Sequence, residues 1–206
     1  MRGRTRRIAW AAVGVVALGA ITLGTKVVPS DDPLVQGVAD FDAAAFGADN
    51  FASVRDGVIS SAVDAPELAA ALADDPEAAR ADHAVDSSGG PVFSVTLVGV
   101  LGEAQSGITP ITVEGVPADL VIRVRTGPAI NGTELRDATG EIRFGQFTNQ
   151  IDYQDAASAL NDEMKRHVLA PLEGSAVTGA TVAVTGAFTL IDTGSWLITP
   201  VEMELR

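Results

Sequence analysis

The densest run of polar side chains lies between Gly127 and Asn161. Arg136 and Asp137 stand side by side; Gln146, Asn149, Gln150 and Tyr153 follow, with Asn161 further on. Amides donate and accept hydrogen bonds without carrying charge, which suits sugars and peptide backbone. A guanidinium, a carboxylate and a phenol add charge and direction. These seven residues form the candidate ligand-binding site. A plainer account competes with it: amides at a strand-to-helix junction cap the helix and satisfy loop backbone, while Arg136 and Asp137 pair with each other.

Other chemistry is thinly represented. His83 and His167 lie in different regions with no Glu-x-x-His or His-x-x-x-His partner, so exposed surface positions are expected for both. Ser106, within Gly102 to Gly107, lacks the glycine spacing of a nucleophile elbow and belongs to a hairpin loop. No glycine-rich loop precedes a lysine, so no phosphate cradle is expected. Asp31-Asp32 and Asp74-Asp75 lack the spaced ligands of a calcium loop. The chain has no cysteine, hence no disulfide, thiolate nucleophile or cysteine-based metal site. The expectation is a non-enzyme with no metal and no cofactor. One enzymatic alternative is a cell-envelope hydrolase using Asp137 with Asp152, which would need the two carboxylates held several ångströms apart in a cleft.

The elements that must position these residues show in the hydrophobic pattern. Val92 to Leu101 is β-branched and nearly alternating. Ile108 to Val113, Leu120 to Val124 and Glu141 to Phe147 read as further strands. Val182 to Ile191 and Trp196 to Glu204 close the set, with Pro200 placing the last strand at an edge or bulge. Between them, Ile151 to Leu169 carries Tyr153, Ala157, Leu160, Met164 and Val168 on one helical face. Asn149 or Asp152 can cap its start, and Pro171 ends it. Upstream, Leu34 to His83 reads as two or three helices, with Asp64 and Asp75 at helix starts and Pro66 in a first turn. His83 to Pro91 is a linker by composition.

Strands, then one helix, then two strands is the order of a Greek-key barrel of the oligonucleotide/oligosaccharide-binding (OB) kind. A β-sandwich or an open curved sheet is the alternative. The fold class is α+β: an N-terminal membrane helix, a small helical layer, then a five- to six-stranded OB-like barrel with one helix inserted between strands. The divisions are 1-28, 29-90 and 91-206.

Arg2, Arg4, Arg6 and Arg7 precede an uncharged run from Ile8 to Gly24, and Lys26 follows. Basic, then apolar, then polar is the order of an export leader, with positive charge kept on the cytoplasmic side. Either a signal peptide is cut near Gly24, or Ile8 to Val28 stays as a single-pass anchor with Lys26 snorkelling. The anchor is favoured, which puts the domain outside the cell membrane. Setting the four arginines aside takes the net charge from −13 to −17. Such a body repels phosphate backbones, so nucleic acid is not an expected partner despite the barrel.

The motif Gly-Thr-Glu-Leu-Arg-Asp-Ala (Gly132 to Ala138), with Phe-Gly-Gln-Phe-Thr-Asn-Gln-Ile-Asp-Tyr-Gln (Phe144 to Gln154) and Asn161, resembles the bacterial periplasmic lipoproteins called domain of unknown function 2291. Phe41-Asp42-Ala43, Asp75-Pro76 and Ala79 extend the likeness over most of the chain. The resemblance implies an OB-like barrel, an extracytoplasmic place and no established activity. It also implies an accessory role beside sugar ABC transporters, with a transporter component or a small polar ligand as partner. Such proteins carry a lipid-bearing cysteine after the leader. Here Thr25-Lys26-Val27-Val28 occupies that place, and threonine cannot hold a thioether lipid, which shifts weight to the uncleaved helix as anchor.

Overall fold

The computed structural model describes residues 41–172 and 178–206. The membrane helix expected over Ile8 to Val28 falls outside them. Among the described residues no helix is long and apolar enough to cross a membrane.

Five strands close a barrel: β3 (Gly90–Leu101), β4 (Ile108–Val113), β5 (Val121–Arg125), β6 (Thr181–Thr189) and β7 (Ser195–Leu205). Their order is β3-β4-β5-β7-β6, and β6 returns to β3. Only the β5–β7 pair in this circuit is parallel. The β3–β6 register is the longest, from Val92 opposite Thr189 to Val100 opposite Thr181. Alternation explains the inside: Ile122 and Val124 are buried while Val121 is exposed. Few aromatic residues are available, and three are stacked in this core. Phe188 lies 5.8 Å from Phe93 and 4.8 Å from Trp196, ring centre to ring centre.

Pro200 sits where the β6–β7 register slips between Thr185 and Gly186, the bulge expected of it. A Cβ on Gly186 would come 2.4 Å from the Thr199 carbonyl oxygen, so only glycine lets the strands approach there.

Three helices form the N-terminal layer: α1 (Ala43–Ser61), α2 (Ala65–Asp74) and α3 (Pro76–His83). Asp42 caps α1 by accepting from the Ala45 amide at 3.0 Å. Asp75 caps α3 by accepting from the Glu77 and Ala78 amides. Asp64 stands at the α2 cap position, yet its side chain makes no cap hydrogen bond; Pro66 occupies the first turn. Phe51, Val54 and Val58 of α1 and Leu68 and Leu72 of α2 join the barrel residues in one buried cluster. The two-residue β1 (Val63–Asp64) pairs parallel with β3.

Two expectations need correction. His83 to Pro91 is not a linker: β2 (Ala84–Ser87) pairs antiparallel with the start of β3. The Ser-Ser-Gly-Gly-Pro composition marks only the turn of this hairpin, where Gly90 has φ +123°. Glu141 to Phe147 is not a strand: Phe144–Gln146 is a 3-10 turn. There the Gln146 side chain accepts from the Arg143 amide at 2.8 Å, taking the backbone group a ladder would need.

Between β5 and β6 come a one-turn helix α4 (Glu134–Asp137) and the long helix α5 (Gln150–Met164). The helical run continues as a π turn over Lys165–Leu169 and a 3-10 turn over Ala170–Leu172. The Cβ that Gly47 lacks would lie 2.8 Å from the Ala159 carbonyl oxygen, so α1 crosses α5 in close contact.

Phe188→Ala should remove the middle ring of the stack and cost about 3–5 kcal/mol of stability. Urea unfolding followed by circular dichroism measures this; a loss below about 1 kcal/mol would mean that the stack does not organise the barrel.

Candidate functional site

Helix α4 ends in two charges inside the protein. Arg136 is 2% exposed and Asp137 5%. The guanidinium grips the carboxylate with two donors, Nε to Oδ1 at 2.8 Å and Nη2 to Oδ2 at 3.1 Å. Its third arm, Nη1, donates to the Tyr153 carbonyl at 3.1 Å. The guanidinium carbon lies 3.5 Å from the centre of the Tyr153 ring, a cation–π contact. The Tyr153 hydroxyl in turn donates to Asp137 Oδ1 at 3.3 Å. Phe144 and Phe147 hold the ring from its edges at 5.6 and 5.3 Å.

Burial pushes the Tyr153 phenol above its ordinary value, and the Asp137 charge adds to the rise while Arg136 opposes it. The phenol therefore stays protonated and serves as a donor.

A cleft of about 510 Å³ opens above this arrangement. Asp137, Gln150 and Tyr153 line it together with Arg143, Phe144 and, from the β2 hairpin, Ser87. Phe144 is half exposed and offers the cleft an apolar ring. Arg143 donates from Nε to the Gly140 carbonyl at 2.9 Å.

The seven expected site residues thus divide. Asp137, Gln150 and Tyr153 meet at the cleft, and Arg136 lies beneath as their brace. Gln146 shapes the 3-10 turn. Asn149 caps α5, accepting from the Ile151 and Asp152 amides at 2.8 and 2.9 Å. Asn161 is buried and donates to the Gly132 carbonyl at 2.8 Å, fastening α5 to the loop before α4. Its Oδ1 has no protein partner. Asp152 accepts from Asn149 at the helix start, whereas Asp137 is committed to Arg136, so the suggested carboxylate pair is split between two tasks. His167 is exposed, 3.3 Å from buried Glu163, and stacks on Phe51. Among the described residues no group of three or more His, Cys, Asp or Glu side chains is placed to hold a metal ion.

Sequence reasoning missed Ser87 and Arg143. Both come from segments whose structure it misassigned, and the only signal for Arg143 was its place between the two halves of the polar motif.

Comparison with known proteins agrees with this architecture. The family described as predicted periplasmic lipoprotein (DUF2291) matches residues 14–204. The crystal structure of an OB-fold protein from Thermotoga maritima MSB8 is similar, with TM-score 0.66 and 21% identity, over 82% of this chain and 100% of that one. No curated protein matches the chain.

Two measurements test this geometry. Arg136→Met strands a buried carboxylate and should cost about 3–5 kcal/mol, whereas joining it to Asp137→Leu should restore most of that loss. Additive losses in the double variant would deny the coupling. Tyr153 is the sole tyrosine, so absorbance at phenolate wavelengths titrates it alone. In the folded chain its midpoint should lie above the unfolded value of about 10. Because the folded value is raised, the stability linked to it is whole below the unfolded midpoint and is lost as pH climbs through the folded one. An unchanged midpoint on unfolding would refute the burial of this group.

Proposed function

Since the chain belongs to the predicted periplasmic lipoproteins (DUF2291), we propose that it is a non-enzymatic binding or accessory module held outside the cytoplasmic membrane by its own N-terminal segment. Its 206 residues contain no cysteine, so a thioether-linked lipid has no attachment point among them. The apolar run from Ile8 to Val28 supplies a single-pass anchor instead, with its arginines on the cytoplasmic side.

The observation that carries the binding role is the cleft over Asp137. Its floor is braced from below by Arg136, and its rim offers an amide, a hydroxyl, a guanidinium and a half-exposed ring. Ser87 and Arg143 are held by their bonds to the Gly90 and Gly140 carbonyls, and groups so held recognise a small polar ligand at little ordering cost. No histidine or lysine stands among the described lining residues to activate Ser87 as a nucleophile. The ligand or docking partner is the polar substrate, or a component, of an ABC transporter for sugars. Nucleic acid is disfavoured by the charge of −13 and by the state of two arginines on β5. Arg123 donates to Ser195 Oγ at 2.6 Å, and Arg125 pairs with Glu134 at 3.4 Å.

The test is thermal unfolding of the full chain in phospholipid vesicles against a panel of sugars and amino acids, with affinity capture of transporter subunits alongside. A ligand at a hundredfold excess over its Kd should add about 2.7 kcal/mol of stability. Gln150→Ala and Arg143→Ala should remove that gain. No stabilising compound and no recovered transporter subunit would end the proposal.

A further inference from the structure

A second cleft, of about 500 Å³, opens at the far end of α5. Its lining is chemically unlike the first: Pro128, Leu169, Leu172 and Met203 are apolar, Gly127 supplies bare backbone, and Lys165 stands among them. Among the described lining residues Lys165 is the one charge, and a concave, mainly apolar site with few convergent polar groups is the usual form of a small-molecule pocket.

Two features show that the walls are built. On the barrel side, the Thr126 and Gly127 amides both donate to the Gly107 carbonyl, at 2.9 and 2.8 Å. A Cβ on Gly127 would fall 2.2 Å from Gly107 Cα, so backbone is packed directly on backbone there. On the helix side, the wall is the π turn. The Ala170 amide reaches back five residues to the Lys165 carbonyl, and both Lys165 and Leu169 belong to the widened turn. Such turns are rare and are found often at functional sites.

Lys165 is the only lysine of the chain besides Lys26 in the leader. Its ammonium has three donors. One meets Asp162 at 2.5 Å and another the Pro128 carbonyl at 3.4 Å. That leaves one donor for a further acceptor, and Asp162 is well exposed, so the existing pair is weak and exchangeable.

We propose that this cleft binds a single-chain amphiphile with an anionic head, its chain against Leu169, Leu172 and Met203 and its head at Lys165. This site is separate from the polar cleft over Asp137, and its occupancy does not depend on the role assigned there.

The experiment is photolabelling of the full chain in phosphatidylcholine vesicles. The probes are a medium-chain fatty acid with a terminal diazirine, and the matching alcohol and amine, with the label mapped by peptide mass spectrometry. The acid should label the Leu169–Leu172 segment and the peptide holding Met203. Lys165→Met, at a partly exposed position that should not disturb folding, should weaken labelling by the acid about threefold and leave the alcohol unchanged. Leu169→Arg, with folding checked by circular dichroism, should abolish labelling by every probe. Label confined to the N-terminal apolar segment, or acid and amine labelling alike, would overturn the proposal. An unlabelled polar cleft, or one with no sugar ligand, bears only on the first site.

Discussion

Two opposite charges are held out of water by one turn of helix, and much of the polar corner is arranged around them. Taking a guanidinium and a carboxylate out of water costs several kcal/mol each unless geometry returns it. Here Arg136 spends three donors and its flat face, on Asp137, on the Tyr153 carbonyl and on the Tyr153 ring. Neighbouring positions on a helix do not normally face each other. The pair forms because α4 is a single turn, and its last residues are free to lean toward α5. Tyr153 then cannot rotate without breaking both its hydroxyl contact and its stacking. The cleft's floor is therefore fixed before any ligand arrives.

Much of this architecture was legible in the residues. Apolar runs bounded by turn residues located all five barrel strands, three of them by alternation, and the four-three-four spacing through Tyr153, Ala157, Leu160 and Met164 located α5. Both signals arise from a face turned toward a core, which sequence records directly. What failed were segments without such a face. Ala84–Ser87 is a short hairpin arm of mixed polarity beside a turn-rich run, and its pairing is dictated by the β3 edge it meets. Glu141 to Phe147 alternates like a strand, yet Ile142 is buried while a local glutamine-to-backbone bond curls the rest into a 3-10 turn. The candidate site shared this fate. Asp137, Gln150 and Tyr153 were visible as a motif, whereas Ser87 reaches the cleft only through the hairpin. Gln146 and Asn149 make local bonds to backbone, and Asn161 satisfies the distant loop carbonyl of Gly132.

The barrel's outer strand face shows a related economy of charge. Arg123 and Arg125 project from β5, where a basic surface would serve an anionic polymer, but Ser195 and Glu134 already engage them. Glu134 is itself buried and accepts also from Thr199. Arg125 fastens the α4 turn to the sheet, while Arg123 ties β5 to the start of β7. The motif around residues 132 to 138 thus reaches in two directions, to the barrel through Glu134 and to α5 through Arg136 and Asp137.

The stacked rings of the barrel make the protein its own optical gauge. The sequence holds two tryptophans, Trp10 in the N-terminal apolar run and Trp196 in the barrel core. The Trp196 indole N–H is buried with no hydrogen-bond partner, and its ring lies nearly parallel to Phe188 at 19°. An indole so shielded emits at short wavelength and moves to longer wavelength once solvent reaches it. With Trp10 replaced by phenylalanine, the emission colour of the intact chain would follow the opening of the barrel alone, without any attached dye.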